Sequence, residues 1–142
     1  MRTCVQNSGG PTVAPAALSS DGWLHTGDEV TLDAAGRLTV TGRAGDTIIT
    51  GGENVAPVEV EAVLESHPAV AEAAVHGMPD PEWGERVVAT IVLSEHETAT
   101  ADDLRGYCRV RLAGYKVPRV IRFTHELPRT VSGKILRRSL ED

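Results

Sequence analysis

The stretch Val87-Val88-Ala89-Thr90-Ile91-Val92-Leu93 is apolar at all but one position. A strand with one wet face alternates apolar and polar residues. A run like this one has to be covered on both faces, which predicts a central strand. Such a strand needs other strands beside it and a further layer over it, and the flanking sequence supplies both. Val30-Thr31-Leu32 and Leu38-Thr39-Val40 alternate at period two around Asp33-Ala34-Ala35-Gly36. That pattern predicts a β-hairpin with a loop of about four residues. Thr47-Ile48-Ile49-Thr50 reads as a third strand that runs into Gly51-Gly52, and residues 70–76 read as another.

Helices are marked by their ends. Pro57 suits a first helical position, where its missing N–H would have no partner anyway. Glu59 and Glu61 then fall in the first turns, favourable for the helix dipole. Val60, Val63 and Leu64 make the buried stripe, and His67-Pro68 ends the helix. Pro79-Asp80-Pro81 predicts a loop before the central strand. Thr100-Ala101-Asp102-Asp103 has the form of a capping box. The helix behind it buries Leu104, Tyr107, Cys108 and Leu112 and closes at Gly114. Val120–Phe123 is a short strand, Pro128 to Gly133 a polar loop, and 135–141 a last helix. The fold predicted is α+β: a small mixed sheet with helices packed on it, preceded by a β-hairpin. Residues 1–20, broken by Gly9-Gly10-Pro11 and Pro15, predict an irregular lead-in, and 21–142 the domain itself.

Charge narrows the partners. Fourteen basic against twenty acidic residues leave a net −6, the wrong sign for a nucleic-acid module or a polybasic membrane-surface protein. No apolar run approaches the ~20 residues of a membrane span, and no apolar stretch follows Arg2 to make a secretory signal. Cys4 and Cys108 form neither a metal-like spacing nor a disulfide framework, which fits a reducing, cytoplasmic setting. His25, His67, His76, His96 and His125 are scattered without ligand spacing, so no metal site is expected. Aromatics make up 4% of the chain, so Val, Leu, Ile and Ala must build the core.

Familiar catalytic motifs are missing. There is no G-x-S-x-G and no G-x-G-x-x-G. Ser132-Gly133-Lys134 looks like the end of a phosphate loop, but Pro128 stands where a glycine is required and Ile135 where Ser or Thr is required. Three other stretches carry glycines and charges that packing alone does not explain. In Gly22-Trp23-Leu24-His25-Thr26-Gly27-Asp28 the carboxylate of Asp28 can accept from a vicinal diol, or else bond its own turn. In Gly42–Val55, Arg43 offers a planar fork to phosphate or ribose oxygens, or to a surface acid. Gly51-Gly52 lets a ligand approach the backbone, or simply makes a turn. In Leu127–Ile135, Lys134 can meet an anion, or sit solvated at a helix start, a poorer place for a cation.

In this order the three stretches resemble the C-terminal domain of the adenylate-forming (AMP-binding) superfamily, over residues 21–142. Gly51-Gly52-Glu53-Asn54-Val55, Pro57–Glu61 and Pro128–Arg138 resemble the acyl-CoA synthetase, or acid–CoA ligase, branch. The resemblance implies a two-step reaction. A carboxylic acid and ATP give acyl-adenylate and pyrophosphate, and the thiol of coenzyme A then displaces AMP. It implies that Lys134 meets the substrate carboxylate and α-phosphate, Asp28 the ribose hydroxyls, and Arg43 the nucleotide. Gly51, Gly52 and Glu53 would line the pantetheine path. Trp83 and Tyr115 lie where some relatives contact the CoA nucleotide, with packing as the competing reading for both. The hinge is implied near 43–46, at Gly45 with Asp46 after it. Gly45 stands where Asp or Lys is common.

ATP, CoA and Mg would serve the complete enzyme rather than bind tightly to this domain alone. The partner implied is a larger N-terminal domain that carries the phosphate loop and the acyl pocket, so the acyl substrate is not readable. A fragment or stand-alone lid, inactive by itself, is expected. A non-catalytic binding module derived from such a lid, or the lid of a carrier-protein adenylation enzyme, are the alternatives.

Overall fold

A computed structural model of the chain describes residues 2–6 and 23–140. They separate into two compact units, one ending at Gly45 and the other starting at Asp46. The first is an antiparallel sheet of β1 (Arg2–Gln6), β2 (Trp23–Leu32) and β3 (Leu38–Arg43), in that order. The hairpin has the expected register, with Val30, Thr31 and Leu32 opposite Val40, Thr39 and Leu38. Asp33 builds its loop. One carboxylate oxygen accepts from the N–H groups of Ala35 and Arg37, and the other pairs with the Arg37 guanidinium at 2.7 Å. The hydrogen bonds from Arg37 hold the Asp33 carboxyl below its usual range. The irregular lead-in is corrected over Arg2–Gln6, where Cys4, Val5 and Gln6 pair with His25, Leu24 and Trp23 of β2, after an irregularity in register between Arg2 and Cys4. Residues 7–20 of that stretch lie outside the described residues.

The second unit is built around β7 (Gly84–Leu93). The antiparallel β6 (Val70–Asp80) covers one edge along its whole length. The other edge is shared by β4 (Ile48–Thr50), through Thr50 opposite Gly84, and by the parallel β8 (Val120–Phe123). Outside β4 lies β5 (Glu53–Val55), which completes a mixed five-stranded sheet. Helix α1 (Pro57–Glu65) packs on β6, and α2 (Ala101–Arg109) packs against α1 and β8. Val87, Ala89 and Ile91 enter the main core with Val60, Leu64, Leu104 and Cys108. Val88 and Thr90, on the opposite face of β7, are buried as well. The central strand is therefore covered on both sides, as its sequence requires. Burial raises the Cys108 thiol above its ordinary range, which suits a core residue.

Five local readings change. Gly51-Gly52 does not merely end a strand. With φ of +58° and +84° it forms a two-residue hairpin turn that leads back into β5. β6 runs through Pro79 instead of breaking there, because an edge strand tolerates a missing N–H. The turn comes one residue later, where Asp80 accepts from the N–H groups of Glu82 and Trp83. Glu61 is buried rather than a dipole-facing surface acid. Gly114 does not close α2, which ends at Arg109, but starts a 3-10 turn, Gly114–Lys116. The last helix shrinks to a 3-10 turn, Arg137–Leu140, whose carbonyl at Leu140 accepts from Arg122. The capping box holds. Thr100 Oγ1 accepts from the N–H of Asp103, and the Asp103 carboxylate accepts from the N–H of Thr100. No described helix is long and apolar enough to cross a membrane.

Candidate functional site

In the first unit the hairpin register sets Asp28 directly across from Arg43. Gly27, at φ +72°, turns the chain beside them. The Arg43 Nε lies 2.9 Å from Asp28 Oδ1, and its Nη1 donates to the Thr26 carbonyl at 2.7 Å. The backbone N–H of Ala44 donates to the Gly27 carbonyl. Both sequence candidates are therefore brought together as one half-exposed ion pair. The planar fork of Arg43 is held in place, with both residues reachable from solvent. The Asp28 backbone N–H donates weakly to Thr26 Oγ1 at 3.3 Å, a contact of the main chain and not of the carboxylate.

In the second unit the Gly51-Gly52 turn meets Trp83. The N–H of Gly51 donates to the Trp83 carbonyl at 2.8 Å, and the indole covers Gly51 so closely that a Cβ there would sit 2.9 Å from its Cε3. Glycine at 51 is thus required twice, by its backbone angle and by the ring. Arg119 also stacks on the indole, its guanidinium carbon 4.5 Å from the Trp83 ring centre. The sequence reading did not single out Arg119. The only hint was its place four residues after Tyr115. Gly52 and Glu53 are exposed at the same turn. Tyr115 is exposed on the Gly114–Lys116 turn, where the Lys116 ammonium lies 5.8 Å from its ring centre. Lys116 itself is held at 2.7 Å by both carboxylate oxygens of Glu59, whose hydrogen bond raises its pKa.

Lys134 rides on a tight loop between Arg129 and Ile135, which form an isolated antiparallel bridge. Thr130 engages its backbone from both sides. The Thr130 N–H donates to the Lys134 carbonyl at 2.8 Å, and the Lys134 N–H donates to Thr130 Oγ1 at 3.0 Å. Arg129 donates to the Gly133 carbonyl and pairs with Glu72 of β6. Gly133, at φ +84°, makes the turn. The backbone is fixed while the side chain is exposed. Among the described residues the Lys134 ammonium has no hydrogen-bond or ion-pair partner. The chain's two lysines thus differ sharply, one committed to Glu59 and one presented to solvent.

Behind this loop sits an ion-pair cluster that the sequence reading missed. Arg137 grips Glu61, its Nη2 2.9 Å from both carboxylate oxygens. Glu61 Oε1 also accepts from the N–H of Val75 in β6. The free edge of the same guanidinium reaches Asp46 at 3.3 Å. The available signal was Glu61 itself, an acid three residues before Leu64 on the buried face of α1. The hinge candidates therefore part company. Gly45 ends one unit with open space around it, and Asp46 begins the other in contact with Arg137. Among the described residues no three His, Cys, Asp or Glu side chains gather as a metal site.

Residues 59–134 match the family model of the AMP-binding enzyme C-terminal domain. The chain belongs to that family. This C-terminal domain is similar to a feruloyl-CoA synthase of an Amycolatopsis species, 48% identical over 124 residues, covering 87% of this chain and 25% of the relative. It is similar to a 2-succinylbenzoate–CoA ligase of Bacillus cereus, 51% identical over 120 residues, covering 84% of this chain and 24% of the relative. Among solved structures, an o-succinylbenzoate CoA synthetase of Bacillus subtilis in complex with an acyl-adenylate intermediate superposes with a TM-score of 0.83 at 49% identity, covering 89% of this chain and 26% of that one. The C-terminal domain thus spans about a quarter of the length of these relatives. The α+β fold expected from the sequence is the fold of these neighbours. The matched stretch includes Trp83, Tyr115 and Lys134 and starts after Asp28, Arg43 and the Gly51–Glu53 turn.

Proposed function

We propose that this chain supplies the C-terminal lid of an AMP-forming acid–CoA ligase. The observation that carries the reading is Lys134, an unpaired ammonium on a rigid loop of a domain whose relatives are named as CoA ligases. When a carboxylate attacks the α-phosphate of ATP, two anionic groups are forced together. A cation fixed between them stabilises the transition state more than the separated reactants. Lys134 is suited to that task because its loop is already ordered and its charge is not neutralised by a neighbour. Mg²⁺ enters with ATP as part of the substrate.

Asp28 and Arg43 are assigned to the nucleotide. The pair offers a carboxylate for ribose hydroxyls and a guanidinium for phosphate or ribose oxygens on one half-exposed edge. The Gly51-Gly52 turn and Trp83 are assigned to the path of CoA. A backbone without side chains beside an exposed indole suits a narrow pantetheine arm and the base that follows it. Arg119, stacked on Trp83, adds a cation near the CoA phosphates. Tyr115 and Glu53 are placed on the same path. Gly45, at the boundary of the two units, is the pivot that would let Lys134 serve the first step and the glycine turn the second.

The test is a fusion of residues 23–142 to the N-terminal region of a 2-succinylbenzoate–CoA ligase, with both half-reactions measured. Lys134→Ala should slow acyl-adenylate formation by ~10²–10³ while sparing thioester formation from supplied acyl-adenylate. Equal losses in both halves would make Lys134 a structural residue and overturn the assignment.

A further inference from the structure

Asp46, Thr130, Lys134, Ile135, Leu136 and Arg137 line one cleft of about 310 Å³. It therefore contains one carboxylate, Asp46, and two cations that could claim it. Arg137 holds the claim at 3.3 Å, and the Lys134 ammonium is left without a partner. The order of preference is built into the fold. Arg137 is anchored from behind by the bidentate grip on Glu61, which is itself fixed by the N–H of Val75. Its remaining edge is thereby aimed at Asp46 and costs no further side-chain entropy to hold there. Lys134 would have to give up a flexible, solvated side chain to make the same contact.

We propose that Arg137 is a positioning residue that occupies Asp46 so that Asp46 cannot take Lys134. The inference rests on the reading of Lys134 as the adenylation cation. An acid free to pair with that lysine would be an internal competitor for the substrate carboxylate and phosphate. It would act in the cleft where the lysine must stay available. Arg137 removes the competitor by satisfying it. Asp46 is also the first residue after the unit boundary, so the same contact ties the start of the second unit to the 3-10 turn that follows the lysine loop.

The chain has two lysines, so a sample carrying ¹³C at the lysine ε-position gives two NMR signals, Lys116 on Glu59 and Lys134. In the unchanged chain the Lys134 ε-methylene should be mobile. Arg137→Met should restrict it, raising its order parameter towards that of Lys116. Asp46→Asn/Arg137→Met should restore mobility. Unchanged mobility in Arg137→Met overturns the proposal, as does restriction that persists in the double variant. Arg137→Met leaves the Glu61 charge without its partner, so the same comparison is repeated with and without Asp46→Asn in a Glu61→Gln/Arg137→Met chain. There the amide oxygen still accepts from Val75 and no buried charge is stranded.

In the fusion, Arg137→Met should lower acyl-adenylate formation a further ~2–5-fold beyond any loss that Asp46→Asn fails to rescue, the range a partly exposed ion pair supports. Absence of any rescue by Asp46→Asn overturns the proposal. The NMR result does not depend on catalysis. A fusion in which Lys134→Ala adenylates normally would overturn the assignment of Lys134 alone, with the Asp46 competition still decided by the spectra.

Discussion

Gly51→Ala and Gly52→Ala form a matched pair of perturbations on one two-residue turn. Both glycines lie at positive φ, +58° and +84°, where a Cβ costs roughly 1–2 kcal/mol. Their surroundings differ. A Cβ at 52 meets nothing within 4 Å, whereas at 51 it would lie 2.9 Å from Trp83 Cε3 and 3.2 Å from Cζ3. The indole must then swing away. It is half-exposed and able to move, but doing so separates it from Arg119. An exposed cation–π contact is worth about 0.5–1 kcal/mol. Gly51→Ala should therefore destabilise the second unit by about 0.5–1 kcal/mol more than Gly52→Ala, with totals of about 1.5–3 and 1–2 kcal/mol. Urea unfolding followed by far-ultraviolet circular dichroism reads the difference directly. The control is Trp83→Ala. In that background the ring is gone, and the two alanine substitutions should cost the same to within the error of the method. Equal costs with Trp83 present, or a difference that survives Trp83→Ala, would refute the argument that the ring dictates glycine at 51.

Three further outcomes are expected. The Glu59 hydrogen bond raises Lys116 above the ordinary lysine value of 10.5. The pair's contribution to stability is therefore complete below that value and lost as pH rises through the higher folded one. Stability of the chain should fall over this alkaline window, and the fall should flatten in Lys116→Met. A fall of equal size in both would rule the pair out as its source. In the fusion, Gly45→Pro fixes φ near −65° and restricts Ala44. It should depress one half-reaction and spare the other, with adenylation expected to survive. Gly45→Ala should be mild, since open space surrounds residue 45 and its φ lies outside the positive range. Equal rates in both halves for Gly45→Pro would place the pivot elsewhere. Finally, residues 1–142 alone should show a folded circular dichroism spectrum and no AMP release above the blank with ATP, CoA and a panel of carboxylic acids. Clear turnover would mean that the chain needs no partner domain.

Much of the fold was legible in the sequence because it depends on local rules. The Val87–Leu93 run demanded cover on both faces and received it. The period-two pattern around Asp33 paired in the expected register. Pro57 started a helix and Thr100 capped one, since orphan N–H groups at a helix start impose their own residue preferences. The site candidates Lys134, Gly51 and Gly52 stood out by the glycines and charges of their stretches, and Trp83 came only with the family resemblance.

Long-range competition decided the rest. No local rule says that an acid on α1, 76 positions away, will hold Arg137, or that Arg137 will then reach Asp46. Whether Glu61 faces water or the core depends on what lies over α1, and β6 lies there. Pro79 looked like a strand breaker and is not one, because β6 turned out to be an edge strand, where a missing N–H is tolerated. Gly51 and Trp83 meet because the start of β7 pairs with the end of β4, through Thr50 and Gly84. Residue types determined what each segment could offer. The pairing of distant segments determined which charges were neutralised, which glycine was covered by a ring, and which lysine stayed free among the described residues.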